Sequence, residues 1–251
     1  MPWVALILLI CLETNPLTPS FSQLPADTLA ALREFNEERD LRAKQFAALQ
    51  DQAESDFSEK PFSMEAFSED WNASQFWYRD ETAKTLARAL LENANHQTRI
   101  GVVSAPSVFS TVEASERPMI VLLEYDERFG VFKQEFVHYD FQQPLKLPVD
   151  LKGSFDRLIC DPPFLSEDCQ TKAALTVRWL CRSWSSPSQS PGDYDGQRIL
   201  VCTGERMQSV VEKLYGKAGV RTTTFDVRHA KGLSNEFRCY ANFENDQWKW
   251  R

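Results

Sequence analysis

Four consecutive residues, Asp161-Pro162-Pro163-Phe164, have the makings of a reactive site. Two prolines fix φ and carry no N–H, so the carbonyls before and between them are free to accept from a bound group. Asp161 adds a side-chain acceptor and Phe164 a flat aromatic face. Acceptors without competing donors, beside an aromatic plane, suit a nitrogen nucleophile that must be held, stripped of water and aimed. The same tetrapeptide also fits a plain proline-rich turn, so its place in the fold matters. It follows Phe155-Asp156-Arg157-Leu158-Ile159-Cys160, a short apolar run that reads as a buried strand.

The elements that must position this shelf alternate. Strands are expected at 99–104, 120–124, 135–139, 155–160 and 199–202, and helices at 82–92, 107–117, 166–184 and 207–215. That alternation predicts an α/β fold with a mostly parallel sheet covered on both faces. Two last β runs, 220–227 and 236–243, have no helix between them and suggest an antiparallel hairpin at one edge. Asp80 and Ser107 are candidate caps for the helices they precede. Residues 183–197 read as a surface loop.

In a doubly wound sheet, ligands sit beyond the C-terminal ends of the strands. The first strand runs into Ser104-Ala105-Pro106, small residues that allow close backbone approach where many nucleotide binders have glycines. Glu124 ends the second strand twenty positions later, a spacing suited to ribose hydroxyls. Asp140, after the third strand, is placed to meet an adenine amino group. Each acidic residue also fits an ordinary turn or cap. Phe76-Trp77-Tyr78 is either a hydrophobic plug at the sheet edge or a wall over a cofactor.

The chain has 251 residues, is 43% hydrophobic and carries a formal net charge of −8. With a pI near 5.1 and no basic, aromatic-interleaved patch, it is a poor partner for a phosphate backbone; a basic protein suits it better. None of the six cysteines forms a CxxC pair, and His96, His138 and His229 are scattered, so no metal site and no Ser/His/Asp triad is expected. Cys160, Cys202 and Cys239 read as buried reduced thiols. Without a P-loop, phosphoryl transfer is not indicated.

Three regions are expected: an apolar appendage at 1–24, a helical extension and linker at 25–68, and the α/β domain at 69–247. The extension should contain a helix over 28–50 capped by Asp27. Trp3 to Leu12 has the length of a signal peptide, too short to span a bilayer, but lacks a basic leading segment. Asn72-Ala73-Ser74 is a formal glycosylation triplet of low specificity.

Several segments together resemble a known family. They are Asp70-Trp71-Asn72, Ser74-Gln75-Phe76-Trp77-Tyr78, Asp80-Glu81-Thr82, Val103-Ser104-Ala105-Pro106-Ser107, Glu124-Tyr125-Asp126, Arg128-Phe129, the shelf with Leu165-Ser166-Glu167, Cys202-Thr203-Gly204, and Asn235-Glu236-Phe237-Arg238-Cys239-Tyr240. The chain resembles the class I S-adenosylmethionine-dependent methyltransferases. Within them it is similar to the elongation factor 1-alpha lysine methyltransferase family, formerly labelled N6-adenine DNA methyltransferases. The resemblance implies a seven-stranded Rossmann-like sheet and S-adenosyl-L-methionine as cofactor. It further implies that Asp161, Pro162, Pro163 and Phe164 act in catalysis, while Phe76, Trp77, Tyr78, Thr82, Ser104, Ala105, Pro106, Glu124 and Asp140 bind the cofactor. The partner it implies is elongation factor 1-alpha, with no nucleic acid and no membrane, for a cytoplasmic monomer. An N6-adenine methyltransferase acting on DNA or RNA is the alternative; a non-catalytic binding module is the third. The chain departs from the family in having Phe164 for the usual Tyr, in a longer 183–197 stretch and in its apolar N-terminus.

Overall fold

The computed structural model describes residues 75–113, 119–185, 197–232 and 236–251, together with Arg33, Glu37, Lys44, Met64, Phe67 and Glu69. Internal contacts divide the chain into residues 1–45 and 46–251. In the first unit Arg33, Glu37 and Lys44 are helical; the rest of the expected 28–50 helix, the apolar run 3–12 and the 72–74 triplet lie outside the described residues.

In the second unit, seven strands form one sheet: β1 (Arg99–Val103), β2 (Met119–Glu124), β3 (Phe136–His138), β4 (Arg157–Cys160), β5 (Arg198–Gly204), β6 (Arg221–Asp226) and β7 (Phe237–Ala241). Their order is β3-β2-β1-β4-β5-β7-β6. The first five are parallel, and β7 runs antiparallel between β5 and β6. The expected terminal hairpin is therefore present, with its second strand inserted inside the sheet.

Successive residues in the strands face opposite sides. Ile100, Val102, Leu122, Ile159 and Leu200 enter one core, with α1 (Asp80–Leu91) and α2 (Pro106–Ser110). Val103, Leu123, Leu158, Cys160, Ile199 and Val201 enter the other, under α3 (Glu167–Leu180) and α4 (Gln208–Tyr215). Burial on both faces explains why these strands read as continuous apolar runs. Each fully buried Leu, Ile or Val stabilises the fold by roughly 1.5–3 kcal/mol.

Helix α1 buries Leu86, Ala87 and Leu90 on one stripe. Its end is anchored from the sheet: Arg157 donates to the carbonyls of Leu90 (2.6 Å) and Glu92 (2.7 Å), and Arg198 to that of Ala89 (2.8 Å). Two buried guanidinium groups thus satisfy the carbonyls that a helix C-terminus leaves over.

Three local expectations are corrected. Arg79 holds the N-cap position of α1 without a side-chain bond, and Asp80 is its first helical residue. Ser107 does not cap α2, which starts at Pro106; its hydroxyl instead accepts from the Tyr78 N–H at 3.2 Å. Helix α2 spans five residues, shorter than predicted, and gives way at Thr111 to a turn in which Val112 is buried. A 3-10 stretch, Glu127–Glu135, inserts the buried Phe129 and Phe132 into the α1 face. Helix α3, in contrast, begins as its sequence suggests: the Ser166 hydroxyl accepts from the Cys169 N–H at 3.3 Å.

Candidate active site

Three strand ends meet at the point where the strand order reverses. Val103 lies opposite Leu123 on β2 and opposite Cys160 on β4, so Ser104, Glu124 and Asp161 emerge at neighbouring C-terminal strand ends. That is the ligand position of open α/β sheets. The exits are pinned by backbone bonds, Ser104 N–H to Leu123 O at 2.9 Å and Asp161 N–H to Val103 O at 3.0 Å. Ser104 turns through a left-handed conformation, φ 53°, unusual for a residue with a Cβ. The bend carries the chain into buried Ala105 and Pro106.

Glu124 is 5% exposed. Its Oε1 accepts from the N–H of Tyr125 (3.0 Å) and of Asp126 (3.3 Å), with Gln75 Nε2 at 3.5 Å. Burial pushes the carboxyl up to about 7 against these hydrogen bonds. Beside it, burial also opposes the Asp126 charge, yet hydrogen bonds from Arg128 hold that carboxyl below its ordinary range. Arg128 grips Asp126 with its Nε at 2.8 and 3.0 Å and one terminal nitrogen at 2.5 Å. Gln75 joins the group, donating to Asp126 Oδ2 at 3.2 Å. Gln75, Asp126 and Arg128 were legible as matching residues but carried no chemical role in the sequence; the glutamine and the acid meet only through a separation of 51 positions.

Asp161 is partly buried. Burial drives its pKa up to about 7; the Tyr78 hydrogen bond draws it back and the Glu124 charge pushes it up again. Among the described residues no N–H donates to the Pro162 carbonyl. Phe164 is 38% exposed, its ring 5.5 Å from that of Phe141. The shelf is fastened beyond Phe164 by Gln170, fully buried on α3, whose Nε2 donates to Phe164 O (3.1 Å) and to Thr203 Oγ1 on β5 (3.0 Å). Leu165 closes the gap above β5: a Cβ on Gly204 would come within 2.9 Å of it. Gln170→Leu should therefore leave the Phe164 carbonyl unpartnered, cost about 1–3 kcal/mol and lower Tm in a thermal melt.

The other candidate residues divide. Tyr78 reaches the shelf: its hydroxyl donates to Asp161 Oδ2 at 2.5 Å. Trp77 points into the core, its Nε1 donating to Phe67 O at 2.7 Å and its ring edge-on to Phe129. Phe76 is half-buried. Thr82 is buried, and its Oγ1 accepts from the Arg228 N–H at 3.3 Å. Both Asp140 oxygens are engaged locally, by the Gln142 N–H (2.8 Å) and Gln143 Nε2 (3.1 Å).

Two carboxylates whose protonation is held near neutrality by burial, facing one cleft, favour a ligand that brings positive charge. The polar end of Glu124 suits sugar hydroxyls. A sulfonium-bearing nucleoside meets both demands, so the donor set fits S-adenosylmethionine. Strand order, switch-point cleft and acceptor shelf together define a Rossmann-like methyltransferase, and its cofactor is S-adenosylmethionine. The chain belongs to the family described as "Probable N6-adenine methyltransferase", which matches residues 69–245. It is 44% identical to Protein-lysine N-methyltransferase EFM5 of Saccharomyces cerevisiae over 90% of this chain and 94% of that one. It is 38% identical to human EEF1A lysine methyltransferase 1 (89% and 92% covered), and 36% identical to Protein-lysine N-methyltransferase M142.8 of Caenorhabditis elegans (90% and 96%).

Proposed function

We propose that this chain is an S-adenosylmethionine-dependent protein-lysine N-methyltransferase acting on elongation factor 1-alpha. The observation that carries the reading is the shelf: a carboxylate at the switch point, its far oxygen already bonded to Tyr78, next to an outward-facing aromatic ring. The proposed substrate is supported by the human relative, EEF1A lysine methyltransferase 1.

When bound, the cofactor supplies an electrophilic methyl group on a sulfonium. The residues of this chain prepare the other reactant. A lysine ammonium, ordinarily near pKa 10.4, must give up a proton before its nitrogen can attack. Desolvation in the cleft favours the neutral amine. The Asp161 Oδ1 and the Pro162 carbonyl then accept its two N–H groups and turn the lone pair toward the methyl carbon. A cofactor held beside Glu124 would supply the methyl group with its thioether as the leaving group, and the single proton released overall is the one the lysine ammonium gives up to solvent before attack. Position and electrostatics carry the rate.

Phe164 packs on the amine and its methylene stem. A methylated ammonium gains a cation–π contact of about 0.5–2 kcal/mol there. Because the ring is more than a third exposed, Phe164→Ala should cripple transfer with little change in Tm, whereas Phe164→Tyr, which keeps the face, should retain activity. Steady-state kinetics on the two variants check this; an inactive Tyr variant would mean that the hydroxyl, not the face, decides.

The catalytic domain is taken to span residues 69–247, the enzyme to work as a cytoplasmic monomer, and nucleic acid not to be its substrate, in keeping with the acidic charge of −8. No helix among the described residues is long and apolar enough to cross a membrane. Incubation with methyl-labelled cofactor and cell extract tests the substrate class: label should be removed by protease and resist nuclease. Nuclease-sensitive label would return the N6-adenine reading.

A further inference from the structure

We propose that Tyr78 is a positioning residue for the methyl transfer: its hydroxyl locks one oxygen of Asp161 so that the other is presented to the substrate amine. This rests on the methyl-transfer reading above and adds to it a residue otherwise grouped with the cofactor wall.

The segment carrying Tyr78 is held on every side. Arg79 N–H donates to Arg228 O (2.9 Å) and Ala230 N–H to Trp77 O (2.8 Å), so residues 77–79 run antiparallel to 228–230 with Tyr78 opposite His229. The Tyr78 N–H is taken by the Ser107 hydroxyl at 3.2 Å. The phenol ring lies 5.2 Å from the imidazole of His229, which in turn stands edge-on to Phe237 at 4.5 Å. A 5% exposed ring in such a frame has little room to move. Its hydroxyl ends 2.5 Å from Asp161 Oδ2.

Asp161 needs such a partner. Its backbone is fixed by the Val103 carbonyl and by Pro162, but nothing in the backbone stops the carboxyl from rotating. A hydrogen bond at Oδ2 sets that rotation and leaves Oδ1 as the free acceptor. Burial, and then the Asp161 charge, raise the Tyr78 phenol well above its ordinary pKa, so it remains a donor throughout the working pH range and takes no part in proton transfer.

Removing the donor should both loosen Asp161 and favour its protonated form, because the lost bond stabilises the charged form. The groups facing Asp161 are Glu124 from β2, Cys160 beside it on β4, Cys169 from α3 and Cys202 from β5. Burial keeps the Cys160 thiol far above neutrality and Cys169 at about 11, while the hydrogen bond with Cys239, and then burial, raise Cys202 well above its ordinary value. His229, behind Tyr78, is pushed by burial down to about 4. Near pH 7, Glu124 is the one neighbour of this set that titrates with Asp161.

The test is Tyr78→Phe, measured against wild type on whichever acceptor wild type methylates, so failure of the lysine assignment is seen in the wild-type lane and failure of the Tyr78 role in the ratio. We expect kcat to fall about tenfold or more, KM for S-adenosylmethionine to stay within about twofold, and the acid limb of the pH–kcat profile to move to higher pH. Wild-type kcat with an unmoved limb would overturn the proposal. So would equal loss of kcat and of calorimetric cofactor affinity with the limb unmoved, the signature of a cofactor wall. Should the variant not fold, proton NMR of the wild type decides: a slowly exchanging Tyr78 hydroxyl resonance that shifts as Asp161 ionises is expected, and a freely exchanging hydroxyl contradicts the lock.

Discussion

Asp161→Ala should lower kcat by at least about a hundredfold, the scale on which misplacement of a reacting group acts, while calorimetry shows S-adenosylmethionine still bound. The expectation follows from where the residue sits. Asp161 emerges beside Ser104 and Glu124, but its carboxyl is turned to Tyr78 and the shelf, toward the acceptor amine. On the proposed reading, deleting it takes away the group that orients the lone pair and leaves in place Glu124, the proposed polar contact for the cofactor. Parallel loss of cofactor affinity and turnover would place Asp161 in the donor site instead. Asp161→Asn is the sharper companion, because it retains the shape and removes the charge that makes Oδ1 a strong acceptor.

Glu124 carries the second large effect. Hydrogen bonds to a charged acceptor are worth about 1.5–3 kcal/mol, so Glu124→Gln should weaken cofactor binding by roughly one to two powers of ten. Binding should also depend on pH. An unfolded glutamate or aspartate ionises near pH 4, whereas burial holds Glu124 and Asp161 in the folded protein to about 7 each. Between those values the folded chain binds protons that the unfolded chain has released, so native stability falls as pH rises through that window and the penalty is complete above about 7. A cationic ligand offsets the penalty. Affinity for S-adenosylmethionine should therefore rise between pH 6 and 8, with protons released on binding, readable as a buffer-dependent heat in calorimetry. The increase in Tm caused by the cofactor should be larger at pH 8 than at pH 6. A pH-independent affinity would mean that neither carboxylate feels the ligand.

Much of the fold could be read from the chain because parallel strands buried on both faces are uniform apolar runs. Leu158-Ile159-Cys160 and Ile199-Leu200-Val201-Cys202 announce themselves. The insertion of β7 between β5 and β6 could not be read, since period and propensity say nothing about which strand pairs with which. The pattern carries helix α2 too far because Thr111 and Val112 suit a helix face and a buried turn equally well. The 3-10 stretch at Glu127–Glu135 has no clear pattern for a related reason: Phe129 and Phe132 are three apart, a spacing compatible with several local conformations.

The site shows the same division. Strand-end residues such as Ser104, Glu124 and Asp161 were legible because topology puts strand ends together. Side chains that work through other side chains were not. The Tyr78–Asp161 bond joins residues 83 positions apart, and Trp77 and Tyr78, adjacent in sequence, point to core and shelf respectively. By pattern Gln170 is an ordinary helix residue; its role lies in the amide that bridges Phe164 and Thr203.

The reaction proposed for this cleft is methylation of a lysine side chain of elongation factor 1-alpha. Its most direct test combines the purified chain, purified elongation factor 1-alpha and S-adenosylmethionine, followed by peptide mass spectrometry, with Asp161→Ala as control. Added mass in methyl increments on a lysine of elongation factor 1-alpha, absent with the variant, is the predicted result. Unmodified elongation factor 1-alpha together with methylated adenine in a parallel nucleic-acid reaction would contradict it.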